Sequence, residues 1–126
     1  MPVLDMAGDK LIYIQIAEWL ENEILGGNIE AHEKIYSQYQ LAEMFNINPA
    51  TAARGINILV DQGVLYKKRG LGMFLKADAQ EKIQHKRRHH TLKRLVRKVV
   101  IEARRLGITE GELAQIIGQV GKELDK

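Results

Sequence analysis

The 126-residue chain contains no cysteine. That excludes disulfide staples, thiolate zinc sites and cysteine-held iron–sulfur clusters, and makes a reducing cytoplasm the default compartment. No apolar run approaches the ~18 residues a membrane span needs, and the N-terminus lacks a basic stretch followed by an apolar one. The expectation is a soluble cytoplasmic protein with no membrane partner. Internal repeats and low-complexity tracts are absent. So are a glycine-rich phosphate motif and a nucleophile–base set, so neither an enzyme nor a cofactor is expected. What is present is 45% apolar and 28% charged residues, enough to bury a core and too apolar for a disordered chain. The length suits one compact domain, or a small domain with an appendage.

Net charge is +3, but its distribution is uneven. Residues 1–50 carry 2 Lys/Arg against 8 Asp/Glu; residues 51–105 carry 15 against 4; residues 106–126 carry 2 against 4. A basic middle between acidic ends points to an acidic partner, nucleic acid first among them.

Residues 11–25 form the first amphipathic helix. Ile12, Ile16, Leu20 and Ile24 recur every four residues, with Glu18, Glu21 and Glu23 between them. Gly26-Gly27 stops it. A connection follows, with a short extended piece at residues 34–36. Ser37-x-x-Gln40 is a capping box that starts a short helix containing Leu41, Ala42, Met44 and Phe45. Asn46 suits a left-handed C-terminal residue. Asn48-Pro49 reads as N-cap plus first-turn proline of another helix, which runs to Gln62 and stops at Gly63. Two short helices joined by a tight turn make a helix-turn-helix. The period then changes: residues 64–68 and 72–76 are short β-type runs joined through Arg69, Gly70 and Leu71. A hairpin directly after a helix-turn-helix is the order of a winged helix.

Residues 77–91 are polar and read either as a linker or as the exposed start of a helix. From Leu92 the residues Leu92, Leu95, Val96, Val99, Val100, Ala103 and Leu106 form one helical stripe, ended by Gly107. Thr109-x-x-Glu112 is a second capping box, and Leu113, Ile116, Ile117, Val120 and Leu124 stripe the last helix. The fold class is therefore mainly α with a small β-hairpin wing. A winged helix-turn-helix domain over 10–77 precedes an antiparallel helix pair over 78–126. A helix pair this small needs a partner surface for its stripes.

Residues 10–76 resemble the winged-helix DNA-binding domain of the GntR family of bacterial transcription regulators. The resemblance rests on Ile12-Tyr13-x-Gln15-Ile16-Ala17, Gly27, Ile35-Tyr36-Ser37, Leu41-Ala42, Thr51, Leu59, Gly63, Gly70, Gly72 and Phe74. The short tail, with Ile108-Thr109-x-x-Glu112-Leu113 after a Leu-Gly, is similar to that of the YtrA-type subgroup, whose tails mediate dimerisation. The chain departs from the family pattern at Tyr36, where proline is usual. Tyr39 and Ala53 stand where arginine is common, and Asn48-Pro49 where Ser-Arg is common.

The resemblance implies a homodimeric repressor bound to double-stranded DNA. A recognition helix presents its N-terminal residues to base edges in the major groove. Ala50 and Thr51 can meet thymine methyls there, and Arg54 can take guanine bidentately or form a surface ion pair. Asn48 can cap the helix or touch a phosphate. Ser37, Gln38 and Tyr39 open the preceding helix, where N–H groups can face a phosphate. Lys67, Lys68, Arg69, Gly70 and Gly72 in the wing combine phosphate-neutralising charge with close backbone approach. Leu92, Leu95, Val96, Val99, Leu113, Ile116, Ile117 and Val120 are the dimerisation surface. Two-fold symmetry implies a pseudo-palindromic operator with half-sites about 10 bp apart or a multiple of that. Its own operon, and an ABC transporter operon beside it, are the targets the resemblance suggests. A small-molecule effector, if any, would sit between head and tail or at the dimer interface. The basic stretch Lys82, Lys86, Arg87, Arg88, Lys93, Arg94, Arg97 and Lys98 lies either beside DNA backbone or against the acidic first helix. His85 and His89 have a metal-compatible spacing but no acidic third ligand nearby, so no metal is expected. The alternative reading is a winged-helix protein–protein adaptor that has lost DNA binding.

Overall fold

The computed structural model describes residues 4–5 and 10–126. It divides between His85 and Lys86 into two compact units. The first is built on three helices: α1 (Ile12–Leu25), α2 (Gln38–Phe45) and α3 (Pro49–Asp61). Each starts and stops where local chemistry dictates. Ser37 accepts from the Gln40 N–H at 3.1 Å while the Gln40 side chain accepts from the Ser37 N–H at 2.8 Å, so the capping box is closed in both directions. Asn46 ends α2 in the left-handed conformation, with φ 55°. Asn48 caps α3 by accepting from the Ala50 N–H at 2.8 Å, with Pro49 in the first turn.

The apolar stripe of α1 buries Ile16, Ala17, Leu20 and Ile24 against Leu41 of α2 and Ala52, Ile56 and Leu59 of α3. Trp19 sits at the edge of this core. Its ring meets Phe45 edge-on at 5.1 Å and Tyr36 at 5.7 Å, so it is a packing residue that ties the loop before α2 to α1.

Two strands, β1 (Leu65–Lys68) and β2 (Gly72–Leu75), pair antiparallel, with Leu65 opposite Leu75 and Lys67 opposite Met73. Alternation sends those two pairs to one face and Tyr66, Phe74 and Lys68 to the other. The extended piece before α2 adds one bridge, Lys34 to Phe74. Gly72 has φ 118°, and a Cβ there would lie 2.8 Å from the Lys34 Cε. The backbone conformation is what favours glycine, since the flexible end of the Lys34 side chain could move aside.

The polar segment after the wing is helical. In α4 (Ala79–Lys86) the spacing of Ala79 and Ile83 places both on one face, and both are buried in the core of the first unit. Two polar side chains complete the docking: Gln80 donates to the Leu25 carbonyl at 3.2 Å and Lys82 to the Gly63 carbonyl at 3.1 Å. These carbonyls lie at the ends of α1 and α3, where intrahelical donors run out.

In the second unit a π-helical turn, Arg87–Thr91, is followed by α5 (Leu92–Arg105) and α6 (Glu110–Leu124). Gly107, with φ 69°, makes the turn between α5 and α6. The Thr109–Glu112 capping box is closed, with Thr109 Oγ1 accepting from the Glu112 N–H at 3.2 Å. Apart from Ala103, the apolar stripes of this unit are exposed or half-buried. Among the described residues no helix is long and apolar enough to cross a membrane.

Candidate nucleic-acid interface

The start of α2, the middle of α3 and the wing converge on one cleft of about 380 Å³. Ser37, Gln38 and Tyr39 reach it from α2, Ala53, Ile56 and Asn57 from α3, and Lys67, Leu71, Gly72 and Met73 from the wing. Lys34, Ile35 and Tyr36 close it from the segment that bridges to β2. Its lining mixes apolar side chains with the amides of Gln38 and Asn57 and the lysines Lys34 and Lys67.

Of the residues expected to meet DNA, the cleft brings together Ser37, Gln38, Tyr39 and Gly72. Ser37 is committed to the capping box, so its contribution is to orient the first turn of α2. Tyr39 is 70% exposed and leaves that turn outward. Asn48, Ala50, Thr51 and Arg54 lie along the first turns of α3, outside the cleft lining. The Asn48 carbonyl oxygen is engaged in capping, which leaves its amide nitrogen as a donor. Ala50 and Arg54 are exposed and Thr51 is half-buried. The Arg54 guanidinium lies over the Tyr13 ring, 4.0 Å from its centroid. It is held by a cation–π contact to α1, in place of the surface ion pair considered from sequence.

The wing residues divide. Lys68 stands on the outer face, its Nζ 4.5 Å from the Phe74 centroid. Phe74 in turn stacks on Tyr66, whose hydroxyl is 2.9 Å from His32 Nδ1. Arg69 and Gly70 form the exposed tip, Gly70 with φ 77°. Next to them Leu71 is 61% exposed.

Sequence reasoning missed Lys34, Tyr36, Ala53, Asn57, Leu71 and Met73 as lining residues. Strand alternation was the available signal for Met73, which shares the inner face with Leu65, Lys67 and Leu75. Lys34 was hidden because its place is set by backbone hydrogen bonds that join Glu33 and Ile35 to Leu75 and Met73, far along the chain. Lys82, counted in the basic stretch, is drawn into the fold: it donates to Gly63 and pairs with Asp78 at 3.3 Å.

In the second unit Leu92, Leu95, Val96 and Val99 on α5 and Ile116, Ile117 and Val120 on α6 are all exposed, while Leu113 is half-buried. Glu112, at the start of α6, also lies here. The Thr109 backbone N–H, then its hydroxyl, lower the pKa of Glu112 below its ordinary 4.5.

Residues 12–75 match the family described as bacterial regulatory proteins, gntR family. Among curated proteins the chain is similar to the HTH-type transcriptional repressor NagR of Bacillus subtilis (strain 168). That match has 33% identity over 70 residues, covering 56% of this chain and 29% of NagR. The matches span between 13% and 33% of the length of the curated relatives. Among solved structures it is similar to a GntR family transcriptional regulator from Listeria monocytogenes. The TM-score is 0.75 and the identity 30%, over 94% of this chain and 98% of that one. YtrA from Sulfolobus acidocaldarius shares the fold, with TM-score 0.54 and 22% identity, over 98% of each chain. The DNA-binding domain of AraR, solved with operator ORE1, aligns with TM-score 0.53 and 29% identity over 60% of this chain and 98% of that one. With half of its residues inside the family's match and a full-length structural relative beside it, the chain belongs to the gntR family of bacterial regulatory proteins.

Proposed function

We propose that this chain is a DNA-binding transcription regulator that works as a homodimeric repressor. The observation that carries this reading is that the N-terminus of α2, the middle of α3 and the cationic hairpin line one cleft of the first unit. Helix N-termini offer unsatisfied N–H groups to phosphates, and the α3 start is free to enter a major groove. Lys67, Lys68 and Arg69 supply the charge that displaces counterions. The operator-bound AraR domain and the repressor NagR are relatives with matching roles.

The dimer reading rests on the second unit. Leu92 and Leu124 are 55% and 80% exposed, and the stripes between them are similarly open. A second copy supplies the surface they need, because α5 is basic and α6 carries Glu110, Glu112 and Glu123. A YtrA-type tail, a pseudo-palindromic operator, control of its own operon and of an adjacent ABC transporter, and a small-molecule effector belong to the same proposal.

The test is anisotropy titration of duplexes from the promoter of the gene itself. Affinity should fall by 10³-fold or more between 50 and 200 mM salt if the dimer neutralises about 6–10 phosphates. Binding that ignores salt refutes the role given to the wing and favours the adaptor reading. In sedimentation, Val99→Glu with Ile117→Glu should give a monomer; a persistent dimer refutes the tail assignment.

A further inference from the structure

The proposed DNA face carries an unusual set of side chains. Between Lys34 and Arg54 the chain has no lysine or arginine, although this stretch contains all of α2 and the start of α3. Arg54 itself is stacked on Tyr13. Guanine is read chiefly by arginine or lysine bound bidentately to O6 and N7, and the first turns of α2 and α3 offer no such group except the stacked Arg54. The groups it does present are of two kinds. Tyr39, Ala50 and Thr51 offer apolar surface or methyl groups, which fit the thymine C5 methyl. Gln38 and Asn57, both on the cleft, offer amides, whose bidentate match is adenine N6 and N7.

The wing points the same way independently. Its tip holds Leu71, 61% exposed and standing between two glycines of positive φ, with Lys67, Lys68 and Arg69 just before it. An apolar residue flanked by cations suits a minor groove, where such side chains wedge between base steps. Narrow A·T-rich minor grooves attract the cations most strongly.

We propose that this chain selects A·T base pairs in both grooves. Tyr39, Ala50 and Thr51 read thymine methyls, Gln38 and Asn57 read adenine edges, and Leu71 wedges into an A·T minor groove. The inference rests on the DNA-binding reading, and its test separates the two. The full-length protein selects duplexes from a randomised pool at 50 mM salt, and the selected site is then remade with uracil replacing single thymines. A·T pairs should dominate the selected positions. Each uracil at a read position should weaken binding about fourfold, the value of one buried methyl. Leu71→Ser, at an exposed tip that leaves the core untouched, should weaken binding roughly tenfold. If no duplex is retained, the DNA-binding reading itself fails. If duplexes are retained but guanine is specified, or uracil is tolerated everywhere, DNA binding stands and the A·T proposal is overturned. Unchanged affinity of Leu71→Ser removes the wedge.

Discussion

Gly55 is the point where α3 touches α1, and replacing it with alanine tests how the recognition helix is held. A Cβ built there would lie 2.7 Å from the Ile16 Cγ2, 2.9 Å from the Ile16 Cβ and 2.9 Å from the Tyr13 carbonyl oxygen. Carbon atoms prefer a separation of about 3.5–4.0 Å, so the two helices must part by roughly 0.8 Å. No rotation relieves this. Two of the three atoms belong to the backbone and Cβ of α1, and Ile16 is fully buried and β-branched. Two effects oppose each other. Alanine gains about 1 kcal/mol over glycine in a helix interior. Overpacking a tight core contact costs about 1–3 kcal/mol. Because the clash is with backbone, the cost falls at the upper end, and Gly55→Ala should lose about 1–2 kcal/mol net. In a unit of this size each kcal/mol lowers Tm by roughly 4–8 °C. Thermal melts by circular dichroism at matched protein concentration read this directly. A raised Tm would show that helix propensity outweighs the contact and would refute the close-packing argument.

Three further outcomes follow from the same geometry. Arg54→Ala should cost about 1–3 kcal/mol of operator binding with relaxed sequence preference if the guanidinium reads a base; an equal loss on every duplex would make it a phosphate contact. Ser37→Ala opens the capping box that orients α2 and should cost about 1 kcal/mol of stability in a urea melt, and no loss would mean that the box is idle. Glu112 has a folded pKa below its ordinary 4.5, so the Thr109 box stabilises α6 above about that pH and is lost as pH falls through the folded value. Carboxyl-carbon NMR should show the lowered titration. Thr109→Ala should raise it part-way, since the backbone N–H remains; an ordinary titration in the parent protein would refute the box.

The elements that could be read from sequence are those fixed by neighbours along the chain. Ser37 with Gln40, Asn48 with Pro49, and the stop at Asn46 each act over a few residues, and each stands as read. What escaped depends on contacts between distant segments. In α4 only Ala79 and Ile83 face the core, too sparse a pattern to separate a docked helix from a linker, and Gln80 and Lys82 find their acceptors only in the folded unit. The π-helical turn Arg87–Thr91 has no periodic signature among its polar residues. The partner of Arg54 was not legible, because nothing in its own helix shows Tyr13 beneath it.

That last contact bears on how the DNA face divides its work. A cation–π contact at an exposed site is worth about 0.5–1 kcal/mol, while a good bidentate base contact is worth about 1–3 kcal/mol. A guanine within reach can therefore draw Arg54 off Tyr13, and without one the guanidinium stays parked. The remaining first-turn residues of α3 are neutral, whereas Lys67, Lys68 and Arg69 sit together on the wing. Salt dependence thus resides chiefly on the wing cations, while major-groove reading belongs to α2 and α3 and minor-groove reading to Leu71. Arg69→Ala at the exposed tip should lower the salt slope by about one and leave the preferred sequence unchanged, because a phosphate contact carries charge and no base information. Measuring slope and preference on the same variant decides the point: an altered preference with an unaltered slope would make Arg69 a base reader and overturn its assignment as a phosphate contact.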